Sequence, residues 1–463
     1  MVAIERFLDP PPVGDRSYDL AALGYLEEEY TVRGTARCFA IAGERTPDGR
    51  WASQPGAQAP FVTRMLVRRP RERQRFSGVL AVEWLNVSAG TDAAAEWSLL
   101  HRHLVRRGDA WVGISAQRAG IDGGGLVEGP HLRKAWPQRY AHLSHPGDPW
   151  AYDIFTQAAK AAIAAFGPTH AIAVGESQSA AFLVSYINAV DAHARLFDGF
   201  LVHGRGANGA RMDGFRLAAG ELGASLRRIP SRHEAIRADA RVPVMVLQSE
   251  TDVVTLGGGL PEQPDGDRIR VWEIAGAAHA DTYAMFAAAA DDGTLDAPAL
   301  ARLLAPTTRL PIATTERPVN SGPQQHYVGQ AAYEALAQWI AGGISPPVAP
   351  RLRLTDERID LVRDDDGIAL GGVRTPWTDV PTAVLSGLGQ GGGGFAVLFG
   401  TTAPLEFRYR DVDAYLARFE ASLDAAIAAG FILRADRAEI VALARATVTW
   451  PPGRTHPAPG AFR

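Results

Sequence analysis

The chain has 463 residues, 46% hydrophobic and 21% charged, which is ordinary globular usage and excludes disordered, collagen-like and coiled-coil readings. Its 47 basic and 51 acidic residues leave a formal net charge of −4, so no global field gathers nucleic acid or anionic lipid. The single cysteine, Cys38, rules out an intramolecular disulfide or a cysteine zinc site, and no segment offers the ~18 uninterrupted apolar residues of a membrane span.

The opening stretch, MVAIERFLDPPP, shows no basic segment leading into an apolar run, and the expectation is a cytoplasmic protein. Over residues 27 to 80, three runs of alternating character (EEEYTVRGTARCFAI, FVTRMLVRRP, FSGVLAVEWLN) predict an opening meander of strands. Over 93–107 the spacing of Trp97, Leu100 and Leu104 predicts an amphipathic helix with Gly108 as its C-cap. Beyond it, apolar strands at AWVGIS, THAIAV, FDGFLVH, VPVMVLQ and RIRVWEIA follow or precede helical patterns such as AYDIFTQAAKAAIAAF, the layout of a parallel sheet covered on both faces. Two long insertions, about 116–147 and 204–240, exceed the usual connection of about 2 to 6 residues and read as lids or binding loops. AGGISPPVAP, from Ala341 to Pro350, marks a composition break, so the chain divides into a core of 1–345 and a smaller C-terminal region of 346–463.

THAIAVGESQSAAFLVSY carries the sharpest chemical signal: a buried strand, the turn Gly175-Glu176-Ser177-Gln178-Ser179, and at once a helix. A nucleophile elbow needs small residues two before and two after its serine because the sharp turn brings those positions together, and Gly175 and Ser179 supply them. Such a turn exposes the Ser177 hydroxyl and aims the Gln178 backbone N–H at a developing oxyanion. A serine hydroxyl needs a base, and the base a carboxylate, in the chain order serine, acid, histidine. Asp252, three residues beyond Ser249 in the turn after VPVMVLQ, fits the acid, with Glu250 as competitor; His279 in the small-residue loop after RIRVWEIA fits the base. The second oxyanion donor is expected in the turn after GVLAVEWL, from the backbone of Val87 or Ser88. Gln117, His203 and Arg205, at the carboxyl ends of strands, are expected to line the pocket.

Other patterns carry less. GLGQGG (387–392) lacks a following helix and reads as a mobile hairpin tip rather than a nucleotide loop. RRPRERQR (68–75) reads as a solvated turn, and His142 with His145, followed by Pro146 and Gly147, lacks the further ligands of a metal site. The run Asp364-Asp365-Asp366-Gly367 reads as a turn.

With these residues in view, the sequence resembles the bacterial α/β-hydrolase-domain proteins that carry a C-terminal extension. The resemblance rests on GYLEEEYTVRGTA, FSGVLAVEWLNVSAG, WVGISAQRAG, LSHPGDPWAYDIFTQA, VGESQSA, LVHGRG, QSETD, RVWEIAGAAHAD, NSGPQQHYV and GGVRTPWTDVP. It implies an α/β-hydrolase fold, with a mostly parallel central sheet, lid-like insertions and an extension packed on the core, and it implies Ser177 as nucleophile, His279 as base and no cofactor. The expected activity is a serine carboxylic-ester hydrolysis through an acyl-enzyme on a small-molecule ester, with no nucleic-acid or membrane partner. An acyltransferase or amidase using the same triad and a non-catalytic binding protein are the alternatives. The sequence specifies no oligomeric state.

Overall fold

The computed structural model describes residues 2–12, 16–125, 128–214 and 232–448. Nine strands form one sheet: β1 (Ala3–Arg6), β2 (Tyr25–Ile41), β3 (Ser53–Pro70), β4 (Val79–Trp84), β5 (Ala110–Ile114), β6 (His170–Glu176), β7 (Gly199–His203), β8 (Val244–Ser249) and β9 (Ile269–Ile274). Their order is β1-β2-β3-β5-β4-β6-β7-β8-β9, with β1, β2 and β3 joined antiparallel, β3 antiparallel to β5, and β4 through β9 parallel. This is the α/β architecture expected, with one change of pairing. FSGVLAVEWLN does not continue the meander: β4 lies between β5 and β6, and β3 pairs instead with β5, Met65 opposite Ile114. Alternation along a strand says which face is buried but not which strand lies beside it.

The inner strands are apolar at nearly every position because both faces are covered. Val82, Ala173, Val244 and Val246 contribute to one core with the helices Ala151–Phe166 and Gln178–Ser185, whereas Ala81, Ile172, Val174, Met245 and Leu247 enter a second core with the helices Ala95–Arg107 and Gln324–Gly342. The helix Ala95–Arg107 begins at Ala94, which has no capping side chain; buried Glu83 on β4 accepts from the N–H groups of Glu96 and Trp97, both at 2.9 Å, and satisfies the free donors of the first turn. Gly108 ends the helix at φ 78°, donating to the Leu104 and Val105 carbonyls.

Past the core, β10 (Ala383–Ser386) and β11 (Thr401–Pro404) form a hairpin, followed by the helices Val412–Ala428 and Arg437–Val448. Leu443 enters the second core, Tyr327 of the core helix enters the extension's own cluster, and Arg102 and Arg106 pair with Glu439 and Asp436, each at 2.7 Å. Val373 bridges the outer edge of β9 at Ile274, which covers part of an otherwise open sheet edge. Within the glycine run expected as a hairpin tip, Gly387 is anchored at its start: its N–H donates to Glu250 Oε2 at 2.8 Å. Of RRPRERQR, only residues 71–75 lie exposed in a turn; Arg68 belongs to β3, is buried, pairs with Glu27 at 2.6 Å and stacks over Trp97 and Trp111. His145 is buried with Nε2 2.8 Å from the Ala116 carbonyl, and His142 contacts Thr31 Oγ1 at 3.0 Å. The N–H groups of Asp366 and Ile368 donate to Asp364 Oδ1, which makes the acidic run a turn. Residues 126–127 of the first insertion and 215–231 of the second lie outside the described residues. Among the described residues no helix is long and apolar enough to cross a membrane.

Candidate active site

β6 delivers Glu176 and Ser177 to the carboxyl edge of the sheet. Ser177 has φ 60° and ψ −117°, a region costing about 1–3 kcal/mol for a residue with a side chain. The turn is held by the Ser177 N–H donating to the His203 carbonyl at 2.9 Å and by the helix that starts at Gln178. A Cβ at Gly175 would lie 3.1 Å from the Ser179 Cβ and 3.0 Å from Leu183 Cδ1, so the spacing of small residues follows from contact across the turn.

Ser177 Oγ is 2.8 Å from His279 Nε2, and His279 Nδ1 is 2.5 Å from Asp252 Oδ1. The other Asp252 oxygen accepts from the Ser249 N–H at 2.6 Å and Ser249 Oγ at 2.8 Å, a cap on the short helix Glu250–Val254 that fixes the carboxylate. Glu250 faces away. Its carboxylate accepts from Gly276 N at 2.7 Å, Ser386 Oγ at 2.9 Å and Gly387 N at 2.8 Å, tying the acid-bearing turn, the histidine loop and the extension together. The imidazole has room because of Gly204 (φ 64°), where a Cβ would stand 3.1 Å from His279 Cε1. Burial pushes the imidazole's pKa down, but the carboxylates of Glu176 and Asp252 outweigh it and raise it to about 9.

In the turn after β4 the two backbone candidates are placed differently. The Ser88 N–H is taken by Asn86 Oδ1 at 2.8 Å, whereas the Val87 N–H (3.3 Å) and the Ser88 hydroxyl (3.4 Å) converge on one acceptor, the side-chain Oε1 of Gln178. Both donors of this turn thus meet the side chain of the residue that follows the elbow serine.

A model of the α/β hydrolase domain family matches residues 7–442. The chain belongs to this family. No curated protein matches it. Among solved structures, this α/β hydrolase is similar to a cold-adapted esterase from an Arctic intertidal metagenomic library, at 14% identity over 53% of this chain and 84% of that one, TM-score 0.32. It is similar also to an esterase from Rhizomucor miehei (10% identity, 59% and 86% covered, TM-score 0.31) and to an α/β serine hydrolase without lid from Xanthomonas campestris (13% identity, 46% and 78% covered, TM-score 0.27).

The three residues expected to line the pocket of this α/β hydrolase have their side chains indoors, each about 1% exposed. Gln117 Oε1 accepts from Trp84 Nε1 at 3.1 Å. Arg205 donates to the carbonyls of Gly206, Ala207 and Glu234, which braces the start of the second insertion from within. His203 Nδ1 lies 3.3 Å from Glu96 Oε1; burial alone would lower its pKa, and the Glu96 carboxylate reverses the direction. Each is drawn indoors by its own partner, an indole N–H for Gln117, backbone carbonyls for Arg205 and a carboxylate for His203, because a polar group inside the protein needs one.

One site residue was not singled out from the sequence. Glu176 Oε1 lies 3.1 Å from His279 Nε2, and its main-chain oxygen and Oε2 accept from Asn86 Nδ2 at 3.1 and 3.3 Å. The available signal was a carboxylate ending an otherwise apolar strand next to the elbow serine. Among the described residues no group of three or more histidine, cysteine or acidic side chains is placed to hold a metal ion.

Proposed function

We propose that this α/β hydrolase is a serine hydrolase that cleaves a carboxylic ester of a small molecule through an acyl-enzyme, without a cofactor. The observation that carries the reading is the continuous line Ser177 Oγ, His279, Asp252, at 2.8 and 2.5 Å, beginning at a serine held in a strained turn. His279 Nε2 takes the Ser177 proton as Oγ bonds to the ester carbon, and the carbonyl electron pair moves to oxygen. Gln178 N–H, Val87 N–H and the Ser88 hydroxyl stabilise that oxygen, with the Gln178 side chain turning aside to admit it. Asp252 keeps the Nδ1–H tautomer and stabilises the imidazolium. The Nε2 proton then passes to the leaving alkoxide as the C–O bond breaks, and water repeats the attack to release the acid. Glu250 serves structure rather than proton transfer, and the extension from 346 onwards acts with the core of 1–345 as one unit, supported by the Glu250 bonds to Ser386 and Gly387.

The test is an ester panel graded by acyl length and alcohol bulk, together with a fluorophosphonate, on wild type and Ser177→Ala. The expected results are turnover of at least one ester, one covalent adduct per chain, and in the variant loss of the adduct and a fall of about 10⁶ in kcat. A variant that keeps wild-type turnover and labelling refutes the proposal.

A further inference from the structure

We propose that Glu176 is a further catalytic residue: a second carboxylate on His279, at Nε2, that stabilises the imidazolium formed when Ser177 gives up its proton. This rests on the reading of Ser177 as nucleophile and His279 as base.

The geometry makes the argument. With Nδ1–H donating to Asp252, a neutral imidazole presents only a lone pair at Nε2, which accepts from the Ser177 hydroxyl. Glu176 Oε1 lies 3.1 Å from that same nitrogen, and a carboxylate gains nothing from a lone pair. It gains an ion pair once Nε2 carries a proton, the state that attack creates. The contact therefore favours the transition state over the triad with a neutral imidazole, the state from which attack starts. Asn86 Nδ2 holds the carboxylate from its far side through Oε2.

The other charged groups around this pair are accounted for. His279 is faced by Glu176 at the end of β6 and by Asp252 of the helix Glu250–Val254. Glu176 is faced by His279, by His203 at the end of β7, by Glu96 of the helix Ala95–Arg107 and by Asp252. Burial raises the Glu176 pKa against the two histidines, while His279 is raised to about 9 with Glu176 the foremost of the groups that raise it. Through the cycle the proton travels from Ser177 Oγ to Nε2 and on to the leaving oxygen. Glu176 faces the charged imidazole between those transfers and ends as the carboxylate it began.

The experiment measures the rate of fluorophosphonate labelling of Ser177 against pH, for wild type, Glu176→Gln and Ser177→Ala, which reads the nucleophile whatever the natural ester is. An opposite charge at this distance is worth about 1–3 pH units, so in Glu176→Gln the midpoint of the rise with pH moves down by about one unit or more, and the high-pH plateau falls because the base is weaker. A structural role would lower the rate evenly at all pH values. A Glu176→Gln midpoint equal to wild type overturns the proposal while leaving the triad intact; labelling that survives in Ser177→Ala overturns the triad itself. Should Glu176→Gln fail to fold, the wild-type imidazole is followed by ¹⁵N NMR: a His279 midpoint above the ordinary ~6.5 is expected, and one at or below it overturns the proposal.

Discussion

Gly204→Ala places one methyl group against the histidine without removing any of the reacting groups. Gly204 sits at φ 64°, and the added Cβ would stand 3.1 Å from His279 Cε1, 3.2 Å from Nδ1 and 3.6 Å from Asp252 Oδ1. Two costs follow. A side chain in left-handed backbone costs about 1–2 kcal/mol, which appears as lost stability. The contacts are too close to keep, so the imidazole must retreat by a few tenths of an ångström from the line joining Ser177 and Asp252. A misplacement of ~1 Å can cost 10²-fold in rate, so this smaller retreat is expected to lower kcat and the labelling rate by about tenfold, with KM little changed. Urea denaturation gives the stability change, and ester turnover with the fluorophosphonate rate gives the chemical one. A Gly204→Ala protein with wild-type kcat and an unaltered midpoint would refute the placement of the imidazole against Gly204.

Asp252→Asn, which leaves the imidazole in the wrong tautomer, is expected to lower kcat by about 10⁴, whereas Glu250→Gln leaves labelling in place; the reverse pattern in the same assay would exchange the two acids. Ser88→Ala removes one hydroxyl donor and is expected to lower kcat by up to about 10² to 10³ without raising KM, read from steady-state ester kinetics. Glu250→Ala strands the donors of Gly276, Gly387 and Ser386 in the interior, and at about 1–3 kcal/mol for each buried unpaired group it is expected to lower the denaturation midpoint sharply. For Glu334, burial pushes the carboxyl's pKa up, but hydrogen bonds from His103 and Gln338 and the charge of Arg107 outweigh it and lower it from 4.5 to about 2. A carboxyl depressed on folding stabilises the protein above its unfolded pKa, and that contribution fades as pH falls toward the folded value. Glu334→Gln should therefore flatten the loss of stability between about pH 4.5 and 2, measured as denaturation midpoints across that range.

The elbow was legible because its constraints are local: the turn that strains Ser177 demands small neighbours two residues away on each side, and a strand-turn-helix signal surrounds them. The helix Ala95–Arg107 was legible for the same reason, from apolar spacing and from Gly108. Asp252 and Glu250 lie two residues apart in one polar turn with the same chemistry. Ser249 caps one toward His279, while Gly276, Ser386 and Gly387 draw the other away. Val87 and Ser88 are separated by what Asn86 does with its side-chain oxygen, and Glu176 by a histidine 103 positions further along the chain. Arg68 looked solvated within an arginine-rich run because nothing adjacent to it announces Trp97 and Trp111.

The sequence by itself pointed to the serine, the histidine and the two candidate acids, since the sharp turn, the chain order of serine, acid and histidine, and the alternation of buried strands with helices are all written in near-neighbour patterns. Tertiary structure alone decided which of two nearby carboxylates meets the imidazole, and that β4 lies between β5 and β6. Each of those choices turns on hydrogen bonds closed between segments far apart in the chain, and no local preference encodes the partner.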